Sequence, residues 1–271
     1  LAVVGDVKET IKDVMDAVSG LVTKDRLARI RQERSAVIAP AVAAARAERL
    51  AEAKKTFDQS PVQPDRLGYE IDRNVEGNAV LVMENLVGRR DHEWLRFGHR
   101  SDDKFGVSAS GGSLGWGIGA ALGAKLAAPD RQVVLSIGDG SVMYSAAGFW
   151  SLARYQAPVL IVVWNNHNYQ TVRAAGYRYN KRMAATGHYH GLYLGDPDID
   201  FVKLAESQGV PGARVANVHD LAAALKKGTE ATRGGSPYLL EVEVARVGGG
   251  AESTWHQKFS VASLRQQPTG G

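Results

Sequence analysis

Gly138-Asp139-Gly140-Ser141 and Asn165-Asn166 are the residues of this chain whose types and spacing are suited to chemistry. Each group closes an apolar run, residues 133–137 for the first and 159–164 for the second, with a helix-compatible segment between. That order reads as a β-α-β unit, whose parallel strands bring Asp139 and Asn166 out side by side at the carboxyl edge of a sheet. Glycines flanking Asp139 let backbone approach a bulky anion, and Ser141 is placed to cap a helix whose N-terminal amides face it. A carboxylate, an amide oxygen and backbone carbonyls are hard oxygen ligands suited to Mg²⁺, which typically binds one or two carboxylates together with substrate phosphates. The implied chemistry is a metal-held diphosphate.

GDG, then 24 residues (141–164), then NN resembles the thiamine diphosphate motif of the acetolactate synthase, benzoylformate decarboxylase and 2-hydroxyacyl-CoA lyase superfamily. Alone, Gly-Asp-Gly is a turn and Asn-Asn a loop; paired, each closing a buried strand, they form a specific signal. The resemblance implies that Asp139, the side chain of Asn166 and the backbone carbonyl of Asn168 hold Mg²⁺, while Gly140, Ser141 and Tyr169 line the diphosphate. Gln170 stands where the family often has glycine, a departure that bears on the substrate pocket and leaves the metal ligands intact.

The stretch Gly111-Gly112-Ser113-Leu114-Gly115-Trp116-Gly117-Ile118-Gly119 is a poor dinucleotide fingerprint, because its spacing is wrong and no acidic residue follows at the expected distance. By itself it reads as a glycine-rich helix start. Beside the first motif it resembles the family segment that cradles the thiamine ring system. The resemblance implies that Leu114 wedges the cofactor into a bent shape, that the Gly112 carbonyl accepts a hydrogen bond from the aminopyrimidine, and that Ser113 belongs to the same cradle. Bending brings the cofactor's amino group to its thiazolium C2, so the protein supplies geometry and electrostatics while the cofactor supplies the chemistry. Glu84-Asn85-Leu86 falls where the family places further diphosphate contacts, with an ordinary strand-end loop as the alternative.

The elements that must position these residues are strands alternating with helices. Strands are expected at residues 79–84, 105–109, 133–137, 159–164, 213–215 and 238–244, and helices at 114–128, 200–208 and 219–232. This alternation predicts an α/β fold with a doubly wound parallel sheet, which by resemblance is the thiamine diphosphate-binding fold. Residues 1–4 form a short apolar run; Asp6 then reads as an N-cap with Glu9 three residues on, and Val7, Ile11, Val14, Met15 and Val18 recur at helical spacing. By resemblance this segment is a helical remnant of a central domain. Residues 24–57 read as helix, with Pro40 forcing a kink or restart. The expected domains are 1–59, the end of a central domain with linker helices; 60–248, the diphosphate-binding domain; and 249–271, a C-terminal tail in which Trp255 and Phe259 imply docking.

His167, His188 and His190 follow the motif, where family substrate pockets form, yet each reads by default as structural. Arg173, Tyr177, Arg178, Lys181 and Arg182 are suited to a carboxylate or coenzyme phosphate, with a solvated loop as the default. Among 271 residues there is no cysteine, which excludes disulfides and thiolate metal sites, and the net charge is a modest +4. The basic excess in residues 24–55 reads as a solvated helical face rather than a nucleic-acid site. No run reaches the length of a membrane span and no signal peptide is visible, so a cytoplasmic protein is expected.

In the resembled superfamily a glutamate from the pyrimidine-binding domain activates the cofactor. Glu9, Glu33, Glu48 and Glu52 all read as exposed helical positions, and none fills that role. The expectation is therefore that no catalytic residue lies in this chain. A second chain carrying the pyrimidine-binding domain supplies the glutamate, in a hetero-oligomer that is a dimer of heterodimers or larger. The expected activity is a thiamine diphosphate and Mg²⁺ dependent carbon-carbon lyase, decarboxylase or carboligase acting on a 2-keto acid, an acyloin or a 2-hydroxyacyl-CoA. The alternatives are a non-catalytic scaffold subunit that retains the fold, or a fragment of a single-chain acetolactate synthase-like enzyme.

Overall fold

Apolar runs rich in Val, Ile and Leu form six strands: β1 (Val80–Glu84), β2 (Phe105–Val107), β3 (Val133–Gly138), β4 (Val159–Asn165), β5 (Gly212–Val215) and β6 (Tyr238–Glu243). They pair in parallel throughout, in the order β2-β1-β3-β4-β6-β5. β4 is buried along its whole length, the expected state of a parallel strand covered on both faces. The computed structural model describes residues 4–84, 94, 105–107 and 112–258. Two units are distinguished, Leu1–Lys54 and Lys55–Gly271, and the sheet belongs to the second.

Alternate residues of β1, β3, β4 and β6 feed two separate cores. Leu81 and Met83 of β1 join Leu67 and Ile71 of α3 (Pro64–Asn74) and Leu221 and Leu225 of α10 (Leu221–Arg233). Val80 and Val82 point the other way, toward Ile118 of α4 (Gly117–Ala127), Phe149 of α6 (Gly148–Arg154) and Phe201 of α9 (Phe201–Glu206). Helices thus cover both faces, and the sheet is doubly wound as expected. β1 has β2 on one side and β3 on the other, so the winding reverses between β1 and β3. The crevice outside their carboxyl ends is the switch point where open α/β sheets bind ligands.

Several local expectations are corrected. The single helix expected after Asp139 is two, α5 (Asp139–Ser145) and α6. Ser141 does not cap: α5 begins at Asp139 with Gly138 at the N-cap, and no side chain caps it. The helix expected from residue 114 begins at Gly117, after an irregular stretch. Helix α3 was not foreseen, and the presumed loop after Tyr169 is helical, as α7 (Gln170–Tyr179) and α8 (Lys181–Thr186).

The first unit holds α1 (Val7–Leu21) and α2 (Lys24–Lys54). Asp6 caps α1 by accepting from the backbone N–H groups of Lys8 and Glu9, as its position predicts. Pro40 neither breaks nor restarts α2, which continues through it. No residue of α1 is buried, and its apolar stripe of Val7, Ile11, Val14, Met15 and Val18 is exposed. Residues 1–3 of the N-terminal apolar run, Asn85, Leu86 and Phe259 lie outside the described residues. Among the described residues no helix is long and apolar enough to cross a membrane.

Candidate functional site

β3 and β4 are adjacent, with Gly138 beside Trp164, so the residues after each strand meet at one edge. Asp139 opens α5, and one of its carboxylate oxygens accepts from the Gly140 N–H at 2.8 Å. Its other oxygen accepts from the Asn168 N–H at 3.3 Å, which joins the two strand tips directly. Beyond β4 the chain makes an Asx turn: Asn165 Oδ1 accepts from the His167 N–H, and Asn166 Oδ1 accepts from the Asn168 N–H at 2.9 Å. His167 has the left-handed φ of 55° that this turn requires. Hydrogen bonds from Tyr169 N–H to the Leu192 carbonyl and from Leu194 N–H to the His167 carbonyl pin the turn to residues 192–194.

Of the residues expected at the site, Gly112, Leu114, Asp139, Gly140, Ser141, Asn166, Asn168 and Tyr169 line one cavity of about 190 Å³; Ser113 does not. The Tyr169 ring lies directly on Gly140, where a Cβ would fall 2.3 Å from its Cε1. Glycine is required there by close approach. A larger recess, about 640 Å³, runs along α2, but all of its lining residues belong to that one helix and no carboxylate is among them.

The electrostatics of the smaller cavity are those of an uncompensated anion. Burial raises the Asp139 carboxyl to about 7, although the N–H groups of Gly140, Asn168, His167 and Asn166 act to lower it. Asn168 Oδ1 is buried without a hydrogen-bond partner, in a residue that lines the same cavity as Asp139. A buried carboxylate and an orphaned amide oxygen fit a hard cation, which would satisfy both. The Asn168 backbone carbonyl, the expected ligand, accepts from the Gln170 N–H and retains a second lone pair. Among the described residues no group of at least three histidine, aspartate or glutamate side chains is placed to hold a metal, so this donor set is one carboxylate plus amide oxygens.

Sequence reasoning passed over two members of the neighbourhood. Gln170, noted there only as a departure, accepts from Asn166 Nδ2 at 3.1 Å and so orients that amide. Glu241, buried in β6, accepts from Asn165 Nδ2 at 2.8 Å; a glutamate inside an otherwise apolar strand was its signal. The histidines stay outside the cavity. His167 Nδ1 lies 3.0 Å from Asp198, and the His188 and His190 rings pack on Trp255 at 4.6 and 4.5 Å, which docks the tail. Arg173 is no solvated residue: it is fully buried in α7 and donates to the Val247 carbonyl.

Residues 92–242 match the family of the thiamine pyrophosphate enzymes, C-terminal TPP binding domain. The chain belongs to this family. It is 34% identical over 177 residues to a putative acetolactate synthase large subunit, IlvX, of Mycobacterium tuberculosis, covering 63% of this chain and 30% of that protein. It is 33% identical over 183 residues to a benzoylformate decarboxylase of Pseudomonas aeruginosa, covering 67% and 32%. Among solved structures, a thiamine diphosphate-dependent 4-hydroxybenzoylformate decarboxylase of Rhodococcus jostii superposes with a TM-score of 0.59 at 34% identity, covering 69% of this chain and 33% of that one. The chain spans about a third of the length of such relatives. Membership in a TPP-binding family agrees with the cavity's position at the carboxyl edge of the parallel sheet.

Proposed function

We propose that this chain binds the diphosphate end of thiamine diphosphate with Mg²⁺, as the diphosphate-binding part of a carbon-carbon lyase, decarboxylase or carboligase. Asp139, the Asn166 side chain and the Asn168 carbonyl hold the metal in this reading, and the orphaned Asn168 Oδ1 is a further donor. Gly140, Ser141 and Tyr169 flank the diphosphate, and Gly112, Ser113 and Leu114 cradle the ring system. When bound, the cofactor supplies a nucleophilic carbon and an electron sink for a carbonyl substrate. The protein's own contribution is to orient the cofactor, to compensate its charge and to keep water from the buried donors. One observation carries the reading: Asp139 and Asn168 meet at adjacent parallel strand tips, buried and short of a cation, in a cavity that Gly112 and Leu114 also line.

Among the described residues Asp139 is the only carboxylate that lines the cavity. The reading assigns the activating glutamate to a partner chain carrying the pyrimidine-binding domain, in a cytoplasmic hetero-oligomer. Residues 1–59 are assigned to a central domain that the partner completes, 60–248 to the diphosphate-binding domain and 249–271 to the tail. Equilibrium dialysis with thiamine diphosphate, in Mg²⁺ and again in EDTA, tests the binding. Retention in Mg²⁺ and release in EDTA is expected; no retention in either would end the proposal. Native mass spectrometry of the purified complex tests the partner, and a homo-oligomer that turns over a 2-keto acid unaided would contradict it.

A further inference from the structure

Gly112 and Leu114 reach the cavity from a stretch, residues 112–116, that belongs to no helix or strand. Its placement comes from Glu84, the buried last residue of β1. One Glu84 carboxylate oxygen accepts from the Gly115 N–H and the other from the Gly117 N–H at 2.5 Å, while the Ser141 side chain is near enough to act to lower the carboxyl that burial raises. One side chain thus joins the tip of β1 to the stretch that carries Leu114, near the first turn of α5. It also takes the place of a cap for α4, whose N-cap residue, Trp116, offers none.

Both glycines in this clasp are required by it. Gly115 has a φ of +91°, and a Cβ there would lie 2.7 Å from the Cβ of Tyr144. A Cβ on Gly117 would lie 2.5 Å from Glu84 Oε2. The two N–H groups can reach the carboxylate only because neither residue carries a side chain.

We propose that Glu84 is a positioning residue that sets the height of the Gly112–Leu114 cradle over the sheet edge, and so controls binding of the cofactor's ring system rather than its diphosphate. The proposal rests on the cofactor reading above, and its test separates the two. In the full chain, Glu84→Gln keeps the shape of the side chain but sets an N–H against one of the two backbone donors. Amide exchange at Gly115 and Gly117 is expected to quicken about tenfold or more, while amides of β3 are unchanged. Affinity for Mg²⁺-thiamine diphosphate is expected to fall about tenfold, and affinity for Mg²⁺-pyrophosphate, which lacks the rings, to stay within about twofold. Glu84→Asp, too short to span both donors, is expected to behave alike. Unchanged exchange in both variants, or equal losses for the two ligands, would overturn the assignment; the second result would place the role of Glu84 at the diphosphate through Ser141. Wild-type protein that binds neither ligand would sink the cofactor reading alone, while the exchange data would still report on the clasp.

Discussion

Asp139 and Glu241 are carboxylates buried near one edge of one sheet, with β4 between their strands, and they are neutralised in different ways. Glu241 accepts from Asn165 Nδ2, and Arg214 Nε lies 3.6 Å away, itself shared with Asp198 and Glu243. Asp139 has only N–H groups for partners, and it lines a cavity with Asn168, whose amide oxygen is orphaned. The first has a cationic side chain nearby, although its Oε2 has no hydrogen-bond partner. The second has a backbone donor on each oxygen and no cationic side chain acting on it among the described residues, which is the difference expected between a structural buried acid and one placed to meet a cation.

The comparison is broken most forcefully at Asp139. Asp139→Asn keeps the volume and one acceptor but removes the charge. It is expected to weaken Mg²⁺-dependent thiamine diphosphate binding at least about 100-fold, since even residues that merely hold metal ligands are worth 10–100-fold. A loss below about tenfold, read by calorimetry, would show that the carboxylate is no ligand. Gly140→Ala comes next: the new Cβ meets Tyr169, and overpacking is expected to cost about 1–3 kcal/mol in urea denaturation, with the cavity reshaped as Tyr169 shifts. A variant as stable as wild type would show that the ring does not rest on the turn. Asn165→Ala should cost about 1–3 kcal/mol without cofactor, by leaving Glu241 short of a donor and the His167 N–H without its acceptor, and by loosening that turn should weaken metal binding less than Asp139→Asn does. A loss of metal binding as large as that of Asp139→Asn would show that the turn, rather than the carboxylate, carries the site.

Glu241→Gln gives the smallest effect and the sharpest contrast. Burial raises the Glu241 carboxyl, against the lowering by Asn165 and Arg214, with Asp200 and Asp198 adding to the rise. A carboxyl raised on folding contributes stability that is full below its unfolded value and is lost as pH rises through its folded value. The glutamine cannot ionise, so its stability relative to wild type is expected to improve as pH rises above the ordinary carboxylate range toward the raised value of Glu241. A relative decline over that range would mean that Arg214 overcompensates the charge.

The strands and their tips were legible because they are local. Residues 133–137 and 159–164 are uninterrupted apolar runs that end in turn residues, and GDG and NN lie where those runs stop. Partners distant in sequence were not legible. Nothing near Gly115 or Gly117 announces that Glu84, more than thirty residues earlier, holds them. Helix α3 went unread because its apolar face is two large residues, Leu67 and Ile71, set among polar ones, and it is packing on the sheet that completes it. Arg173 carries the same lesson. Its charge argued for solvent, yet it is buried and donates to the carbonyl of Val247, a partner 74 residues away in sequence.

The central claim is that this edge of the sheet holds a divalent cation at Asp139 and nowhere else. Mn²⁺, substituted for Mg²⁺ and followed by electron paramagnetic resonance during titration with pyrophosphate, tests it directly on wild-type, Asp139→Asn and Glu241→Gln proteins. The account predicts one bound Mn²⁺ in wild type and in Glu241→Gln, and none in Asp139→Asn. Equal binding by all three, or loss in Glu241→Gln alone, would contradict it.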